Sequence, residues 1–128
     1  MKLLLDTHAL IWLAENDARL SAPARQALED EKNDLFCSVA SIWELAIKAS
    51  LGKLKLSVQL DTAFRRRLEE NGFAVLPVEY THAAHVLSLP WHHRDPFDRL
   101  LVAQAALEQL ALVSHDRQLD AYGIVRIW

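Results

Sequence analysis

Five short apolar runs recur along the chain and alternate with segments of helical periodicity. Each run has the length of a β-strand and is mostly apolar, which indicates strands that are buried on both sides. The segments between the runs are too long for hairpin turns, so the strands should run parallel in an α/β fold, with helices covering both faces of the sheet. The predicted strands span residues 2–5, 35–39, 73–78, 110–113 and 124–128.

The first two predicted helices begin at residues that commonly cap helices. Asp6 and Thr7 follow the first strand and open an apolar segment over residues 9–14, which we interpret as a helix. Ser21 suits an N-cap, and Pro23 falls near the first turn, where its fixed φ fits a helix. Two helices are therefore predicted between the first and second strands.

The third predicted helix carries a possible capping box. Ser41 and Glu44 have the required spacing, and Gly52 stands where a glycine is expected after a helix of about three turns. Glu44 also lies beside apolar neighbours, and a carboxylate there is either part of the cap or held by a cation, because an unpaired buried charge would be protonated. Both interpretations of Glu44 stay open.

Two further helices are predicted in the middle of the chain. Apolar residues recur at every fourth position between Ser57 and Leu68, and Gly72 ends that helix. A short helix over residues 81–89 is stopped by Pro90.

Four acidic residues lie where an apolar run gives way to a helix, or one turn into that helix. Because the carboxyl ends of parallel strands meet at one edge of a sheet, we expect these acids to be neighbours in space. Two carboxylates ~5 Å apart at an effective dielectric of about 20 repel by about 3 kcal/mol, so four together require a cation. The four residues are Asp6, Glu44, Asp98 and Asp116.

The alternative is that these acids only cap helices, a role that suits Asp6 and Asp116 well. Beside Pro96, Asp95 suits the N-cap and Asp98 the first turn, so we assign capping to Asp95 and metal binding to Asp98. Four independent caps would not need to fall beside converging strand ends. A shared metal site is therefore preferred.

Carboxylate and water oxygens are the ligands that Mg²⁺ and Mn²⁺ prefer, and these ions commonly act on phosphate esters. Imidazole ligands would indicate zinc instead, but the sequence has no HxxxH or HExxH spacing. We therefore expect phosphodiester chemistry, and we interpret the histidines near strand exits as loop residues, some of them close to substrate. These histidines are His8, His92, His93 and His115.

The composition limits the class of protein. The 128 residues are enough for a single domain, residues 1–128, and the lone Cys37 fits a reducing compartment and a small core side chain. Neither a signal peptide nor a bilayer-spanning segment is recognisable, so we expect a cytoplasmic location. The net charge of −3 lacks the basic footprint of a protein that grips a long stretch of nucleic acid, so any such contact should be local.

Basic and aromatic residues are interpreted mainly as structural. Residues 65–67 are three adjacent arginines on one helix, for which a solvated face is preferred to a substrate track. The sequence does not decide whether Arg94 and Arg99 pair with acids or meet phosphate. Four tryptophans are expected to pack the core or its margins, with one or two available for a subunit contact. They are Trp12, Trp43, Trp91 and Trp128.

Four segments together resemble a PIN-domain ribonuclease of the VapC toxin type. They are LLLDTHALIW, SVASIWELAIKASLGKL, HHRDPFDRLLVAQA and LVSHDRQL, and they cover essentially the whole chain. The resemblance implies a three-layer α/β/α fold around a parallel sheet of about five strands. It also implies an Mg²⁺- or Mn²⁺-dependent endoribonuclease, a homodimer, and an antitoxin partner that blocks the site.

The matching motifs also imply roles for individual residues. Asp6 and Asp98 would be the principal metal ligands, Glu44 the third acid and Asp116 the fourth. Supporting positions, where a hydroxyl orients ligands or waters, fall to Thr7 and Ser114.

Two other functions compete with this one. The first is a phosphatase with Asp6 as aspartyl nucleophile, although His8 stands where such enzymes have a second aspartate. The second is a catalytically silent module whose acidic pocket only holds a partner's arginine.

Overall fold

The computed structural model describes residues 1–53, 60 and 62–128. The described strands are β1 (Lys2–Leu5), β2 (Asp34–Ser38), β3 (Phe73–Leu76), β4 (Ala111–Val113) and β5 (Arg126–Ile127). The described α-helices are α1 (Thr7–Ala14), α2 (Ala22–Glu29), α3 (Val39–Ser50), α4 (Thr62–Glu70), α5 (Tyr80–His85) and α6 (Pro96–Glu108). Short 3₁₀ helices span Val86–Ser88 and Arg117–Tyr122. The predicted strands are thus confirmed, with small shifts at their ends.

The sheet is parallel throughout and has the strand order β3-β2-β1-β4-β5. The chain moves outward from β1 to β3 on one side, then crosses back to β4 and moves outward on the other side. Strand order therefore reverses between β1 and β4, where Leu5 pairs with Val113. In open parallel sheets, ligands bind outside the carboxyl ends of strands at such a switch point.

Hydrophobic clusters cover both faces of the sheet. Leu3 and Leu5 belong to one cluster, whereas Leu4 belongs to the other, because successive side chains of a strand point to opposite faces. The helices contribute Ala9, Leu10, Ala24, Leu28 and Leu68 to the first cluster and Leu101, Val102 and Ala105 to the second. The predicted three-layer α/β/α fold is confirmed.

Three of the predicted helix caps are confirmed. Asp6 accepts a hydrogen bond from the N–H of Ala9 at 2.8 Å, and Ser21 caps α2. Asp95 accepts from the N–H of Phe97 at 2.8 Å at the start of α6. The helix predicted from Ser57 falls partly outside the described residues, and its described part is α4.

The predicted capping box of Ser41 and Glu44 is wrong. The chain passes from β2 into α3 without a loop, and the N-cap is Ser38, whose hydroxyl accepts from the N–H of Ala40 at 3.0 Å. Ser41 consequently lies inside α3, where its hydroxyl is buried and has no hydrogen-bond partner among the described residues. Glu44 is left without a capping role.

The tryptophans divide into two pairs. Trp12 and Trp128 pack against the first hydrophobic cluster, as predicted. Trp43 and Trp91 are 60% and 78% exposed, so they do not pack in the core, and a subunit contact stays a prediction for these two. Every helix in the described part of the chain is too short or too polar to cross a membrane.

A buried hydrogen-bond network fastens α6 to the end of β2. The Ser38 hydroxyl donates to Gln104 Oε1 at 2.6 Å, and Gln104 Nε2 donates to the carbonyl of Pro77 at 3.2 Å. His82 accepts at Nδ1 from the N–H of Glu79, so its Nε2 carries the proton that it shares with Glu108 at 2.8 Å. This network fixes α6 relative to the sheet.

Replacing Ser38 should destabilise the fold. Ser38→Ala removes the cap of α3 and leaves Gln104 Oε1 buried without its donor, so we expect a loss of about 1–3 kcal/mol in the free energy of unfolding. The matched control is Ser50→Ala at the exposed end of the same helix, for which we expect a change within about 0.5 kcal/mol. Urea denaturation measures both, and equal stabilities for the two variants would contradict the role of the network.

Candidate metal centre

The carboxyl ends of β1 and β4 bring Asp6 and Ser114 together at the switch point. Each residue directly follows its strand, and the N–H of Asp6 donates to the carbonyl of Val113 at 3.0 Å. Both side chains are buried. The sheet topology thus places a carboxyl and a hydroxyl group at the edge where open parallel sheets bind ligands.

Asp6 combines its capping role with a place at this edge. Burial raises the pKa of its carboxyl, and the nearby Glu44 carboxylate adds to that effect. Hydrogen bonds from the Ser114 hydroxyl and the Ala9 N–H act in the opposite direction by stabilising the charged form. The predicted placement of Ser114 beside a site carboxylate agrees with this contact.

Glu44 is buried on α3 and has a partner at each carboxylate oxygen. The Thr7 hydroxyl donates to Oε1 at 2.7 Å, and Lys48 Nζ lies 2.7 Å from Oε2. Lys48 is one helical turn further along, so the pair follows the ordinary i,i+4 spacing. The prediction placed Thr7 beside the acids but missed Lys48, which the spacing in the sequence indicates.

Asp98 lies in the first turn of α6, and its carboxyl is strongly perturbed. Its pKa is raised to about 7, first because of burial and then because of the charges of Asp95, Asp6 and Glu44. The positive influence of His93 only partly offsets this. Asp98 therefore shares a region of negative charge with Asp95 of its own segment and with acids from two other segments, Asp6 and Glu44.

Asp116 lies on the other side of Asp98 and is held by His93. Its Oδ1 accepts from the N–H of Gln118 at 2.9 Å, and its Oδ2 lies 2.7 Å from His93 Nε2. Burial alone would raise the pKa of Asp116, but these hydrogen bonds outweigh it and lower the pKa below its ordinary value. Asp116 is ionised at neutral pH, so His93 Nε2 is the donor.

His93, Asp98 and Asp116 form a group of possible ligands whose atoms all lie within 4.8 Å of one another. His93 is almost fully buried, and its Nδ1 has no hydrogen-bond partner among the described residues. Sequence analysis treated His93 as a loop residue and did not place it with the acids. Its position depends on the loop before α6, which has no periodic signal.

A buried arginine holds that loop in place. Arg99 Nη1 donates to the carbonyl of Pro90 at 2.8 Å and Nη2 to that of Val86 at 3.2 Å, and the guanidinium lies 3.9 Å from the ring centroid of Trp91. The N–H of His93 itself donates to the hydroxyl of Tyr122 at 2.9 Å. The sequence left open whether Arg99 pairs with acids or contacts phosphate, and in the structure its guanidinium donates to backbone carbonyl groups instead.

Asp98 connects two sets of side chains. The charge of Asp98 interacts with the charges of Asp6 and Glu44. Its carboxylate also belongs to the group with Asp116 and His93 whose ligand atoms all lie within 4.8 Å of one another. Asp6, Asp98 and Asp116 also line one groove of about 970 Å³. The structure brings the four predicted acids to one edge of the sheet, and their role as metal ligands stays a prediction.

The raised pKa of Asp98 predicts how stability depends on pH in EDTA. The folded state keeps the Asp98 proton between the ordinary pKa of 3.8 and about 7, so this carboxyl costs progressively more stability as pH rises through that interval. We expect Asp98→Asn to raise the melting temperature by several degrees at about pH 8 and to change it little below about pH 4. Asp34→Asn, at the opposite end of β2, is the control. A variant no more stable than the wild type at high pH would contradict the proposed repulsion.

Comparisons with known proteins agree on one family. A family model described as the PIN domain matches residues 3–125 of this chain. Ribonuclease VapC22 of Mycobacterium tuberculosis is 31% identical over 120 residues, which cover 93% of this chain and 90% of that protein. Ribonuclease VapC16 of the same organism is 34% identical over 77 residues, 57% of this chain and 55% of that protein.

Solved structures show the same fold. VapBC2 from Rickettsia felis, bound to a DNA fragment from its promoter, matches with a TM-score of 0.72 at 15% identity and covers 98% of this chain and 97% of the matched chain. VapBC-1 from nontypeable Haemophilus influenzae matches with a TM-score of 0.66 at 20% identity and covers 98% and 96%. The resemblance seen in the sequence motifs is confirmed, and the chain belongs to the PIN domain family as a relative of the VapC ribonucleases.

Proposed function

We propose that this chain is a metal-dependent endoribonuclease that acts as the toxin of a toxin-antitoxin module. The observation that carries the proposal is the shared negative region around Asp98, whose pKa is raised to about 7 first by burial and then by the charges of Asp95, Asp6 and Glu44. Such a concentration of charge favours a bound cation. The PIN family match and the ribonuclease relatives support RNA cleavage as the activity of this site.

The donor set fits Mg²⁺ or Mn²⁺. Asp6 and Asp98 would be the principal ligands, with Glu44 and Asp116 as further acids. His93 adds an imidazole, which Mn²⁺ accepts more readily than Mg²⁺. A bound divalent ion supplies charge neutralisation at a phosphate and lowers the pKa of a coordinated water.

The chain's own residues would hold this arrangement ready. Ser114 and Thr7 fix the orientations of Asp6 and Glu44 through their hydroxyl groups. Lys48 balances the charge of Glu44, and His93 holds Asp116 through a hydrogen bond. Glu44 or Asp116 would orient the attacking water as an RNA phosphate binds beside Asp6 and Asp98.

The expected reaction is hydrolysis of the RNA backbone by in-line attack. A bond forms between the water oxygen and phosphorus while the bond from phosphorus to the 3′ oxygen breaks. The leaving oxygen takes up a proton, so the products are a 5′-phosphate and a 3′-hydroxyl.

The relatives also indicate partners. The solved neighbours include VapBC and FitAB toxin-antitoxin complexes, some with DNA. We propose a cognate antitoxin protein that blocks the acidic edge, and a homodimer. Residues 1–128 would act as one PIN-like nuclease domain in the cytoplasm, where cellular RNA is present.

Removing either principal ligand should abolish cleavage. We expect Asp6→Asn and Asp98→Asn to reduce the rate of RNA cleavage by about 100-fold or more, because metal ions contribute several kcal/mol to such transition states. Gel analysis of a single-stranded RNA pool with added Mg²⁺ or Mn²⁺ measures the rate, and Asp34→Asn is the matched control. Near-native rates in both variants would refute the proposal, and metal-independent binding without turnover would favour the silent module.

Metal binding should also stabilise the fold. At an Mn²⁺ concentration about 100 times its dissociation constant, selective binding to the folded state adds about 2.7 kcal/mol to the free energy of unfolding. We expect Mn²⁺ to raise the melting temperature of the wild type and of Asp34→Asn, and to raise those of Asp6→Asn and Asp98→Asn much less. No shift in the wild type at millimolar metal would contradict a preformed site.

A further inference from the structure

Aromatic side chains line the same groove as Asp6, Asp98 and Asp116. The ring centroids of Trp12 and Trp128 are 5.6 Å apart. His115 lies 6.0 Å from Trp12 and 5.6 Å from Trp128, and His8 lies 5.7 Å from Trp12. We call this set the aromatic wall, and it consists of Trp12, Trp128, His8 and His115.

The aromatic wall is held in place by its surroundings. Trp12 and Trp128 pack against the hydrophobic core on their inner sides. The Arg19 guanidinium lies 5.0 Å from the Trp12 ring centroid and is itself held by Asp17, with Nη2 at 2.7 Å from Oδ2. Rings fixed before a ligand arrives lose little conformational entropy when it binds.

Core packing does not account for the groove side of the wall. His8 and His115 are exposed, and neither imidazole makes a hydrogen bond with another described residue. Arg117, which lines the same groove, likewise makes no ion pair within the described part of the chain. The groove therefore offers aromatic faces, imidazole nitrogens and a cation directly beside the acidic edge.

A nucleobase is the ligand that matches these groups. Its flat face stacks on aromatic rings, its edge exchanges hydrogen bonds with imidazole, and its phosphate lies within reach of both the cation and the acidic edge. We propose that the aromatic wall stacks one unpaired base of the RNA beside the phosphate to be cut. This inference rests on the proposed function and adds to it the side chains that hold a base next to the cut. That base must be unpaired, because bases within a duplex are not free to stack on protein.

Binding in EDTA, where a metal-dependent nuclease does not turn over, separates base stacking from phosphate contacts. The probes are a labelled single-stranded RNA, the same RNA in a duplex, and an abasic ribose-phosphate chain of equal length. We expect the single strand to bind roughly 5- to 100-fold more tightly than the abasic chain, as base–aromatic stacking gives in other proteins. Fluorescence anisotropy measures all three affinities.

Variants then identify the side chains responsible. Trp128→Leu should lose most of the preference for RNA over the abasic chain, while Trp43→Leu, which removes an exposed tryptophan outside the groove, should keep it. Because Trp128 also packs against the core, His115→Ala is the second variant, and a smaller loss in the same direction is expected. With metal added, both wall variants should raise KM and leave kcat nearly unchanged.

Several results would overturn the inference. Equal affinity for RNA and the abasic chain would contradict base stacking on the wall, and so would an unchanged preference in both wall variants. If the same preparations still cleave RNA in the presence of metal, the proposed nuclease function is retained. Base-dependent binding that needs Trp128, without any cleavage, would instead refute the nuclease and keep the wall as a base-binding site. Light scattering provides one more check, since a dimer that dissociates in Trp128→Leu with unchanged RNA affinity would make the wall an interface between copies.

Discussion

Mutual repulsion of carboxylates at the switch point is the constraint on which the rest of the site depends. The chain counters it separately at three of the four acids. Ser114 and a helix N–H donate to Asp6, Thr7 and Lys48 bind Glu44, and His93 binds Asp116. Among the described residues, none donates a hydrogen bond to the carboxylate of Asp98. Its carboxylate thus lacks the hydrogen bonds that stabilise the other three, so burial and the neighbouring negative charges raise its pKa to about 7, and an external cation would offset that charge.

Holding these acids together requires that α6 stay in register with the sheet. Two buried polar residues of α6, Gln104 and Arg99, hold the helix in place through separate sets of hydrogen bonds. Gln104 is joined to the end of β2 through Ser38, and Arg99 binds the carbonyls of the loop that carries His93. Buried polar groups of this kind are costly when unpaired, so the arrangement that satisfies them is favoured over small shifts of the helix. The position of Asp98, in the first turn of the same helix, follows from that constraint.

The parts of the fold that the sequence predicts are those with local causes. The strands are short, mostly apolar runs, and Ser21, Asp6 and Asp95 cap helices through contacts only a few residues away. The capping box at Ser41 failed for a reason that is also physical. The strand β2 leads into α3 without a turn, so no polar break marks the boundary, and Ser38 is the cap although it ends the strand.

The residues of the candidate site likewise divide into those that a sequence pattern predicts and those that it does not. The acids at strand ends were predictable because parallel topology brings those ends together, and Lys48 was available from its spacing to Glu44. His93 and Arg99 were not, since their positions depend on a loop without periodicity. Backbone carbonyl groups in and just before that loop accept from Arg99, and the N–H of His93 donates to Tyr122, 29 residues further along the chain. Side chains that act through tertiary contacts alone leave no pattern in a single sequence.

The net negative charge of −3 disfavours binding of a polyanionic ligand, whereas the aromatic rings of the groove can bind part of such a ligand without regard to charge. The acidic edge repels phosphate until a cation is bound, and Arg19 is already paired with Asp17, so few cations remain to attract a long nucleic acid. Stacking on aromatic rings does not depend on that balance, because it acts on the uncharged face of a base. A site of this composition is therefore suited to one or two nucleotides of a flexible strand. This composition gives a physical reason for the proposed local binding of RNA by a chain with a net charge of −3.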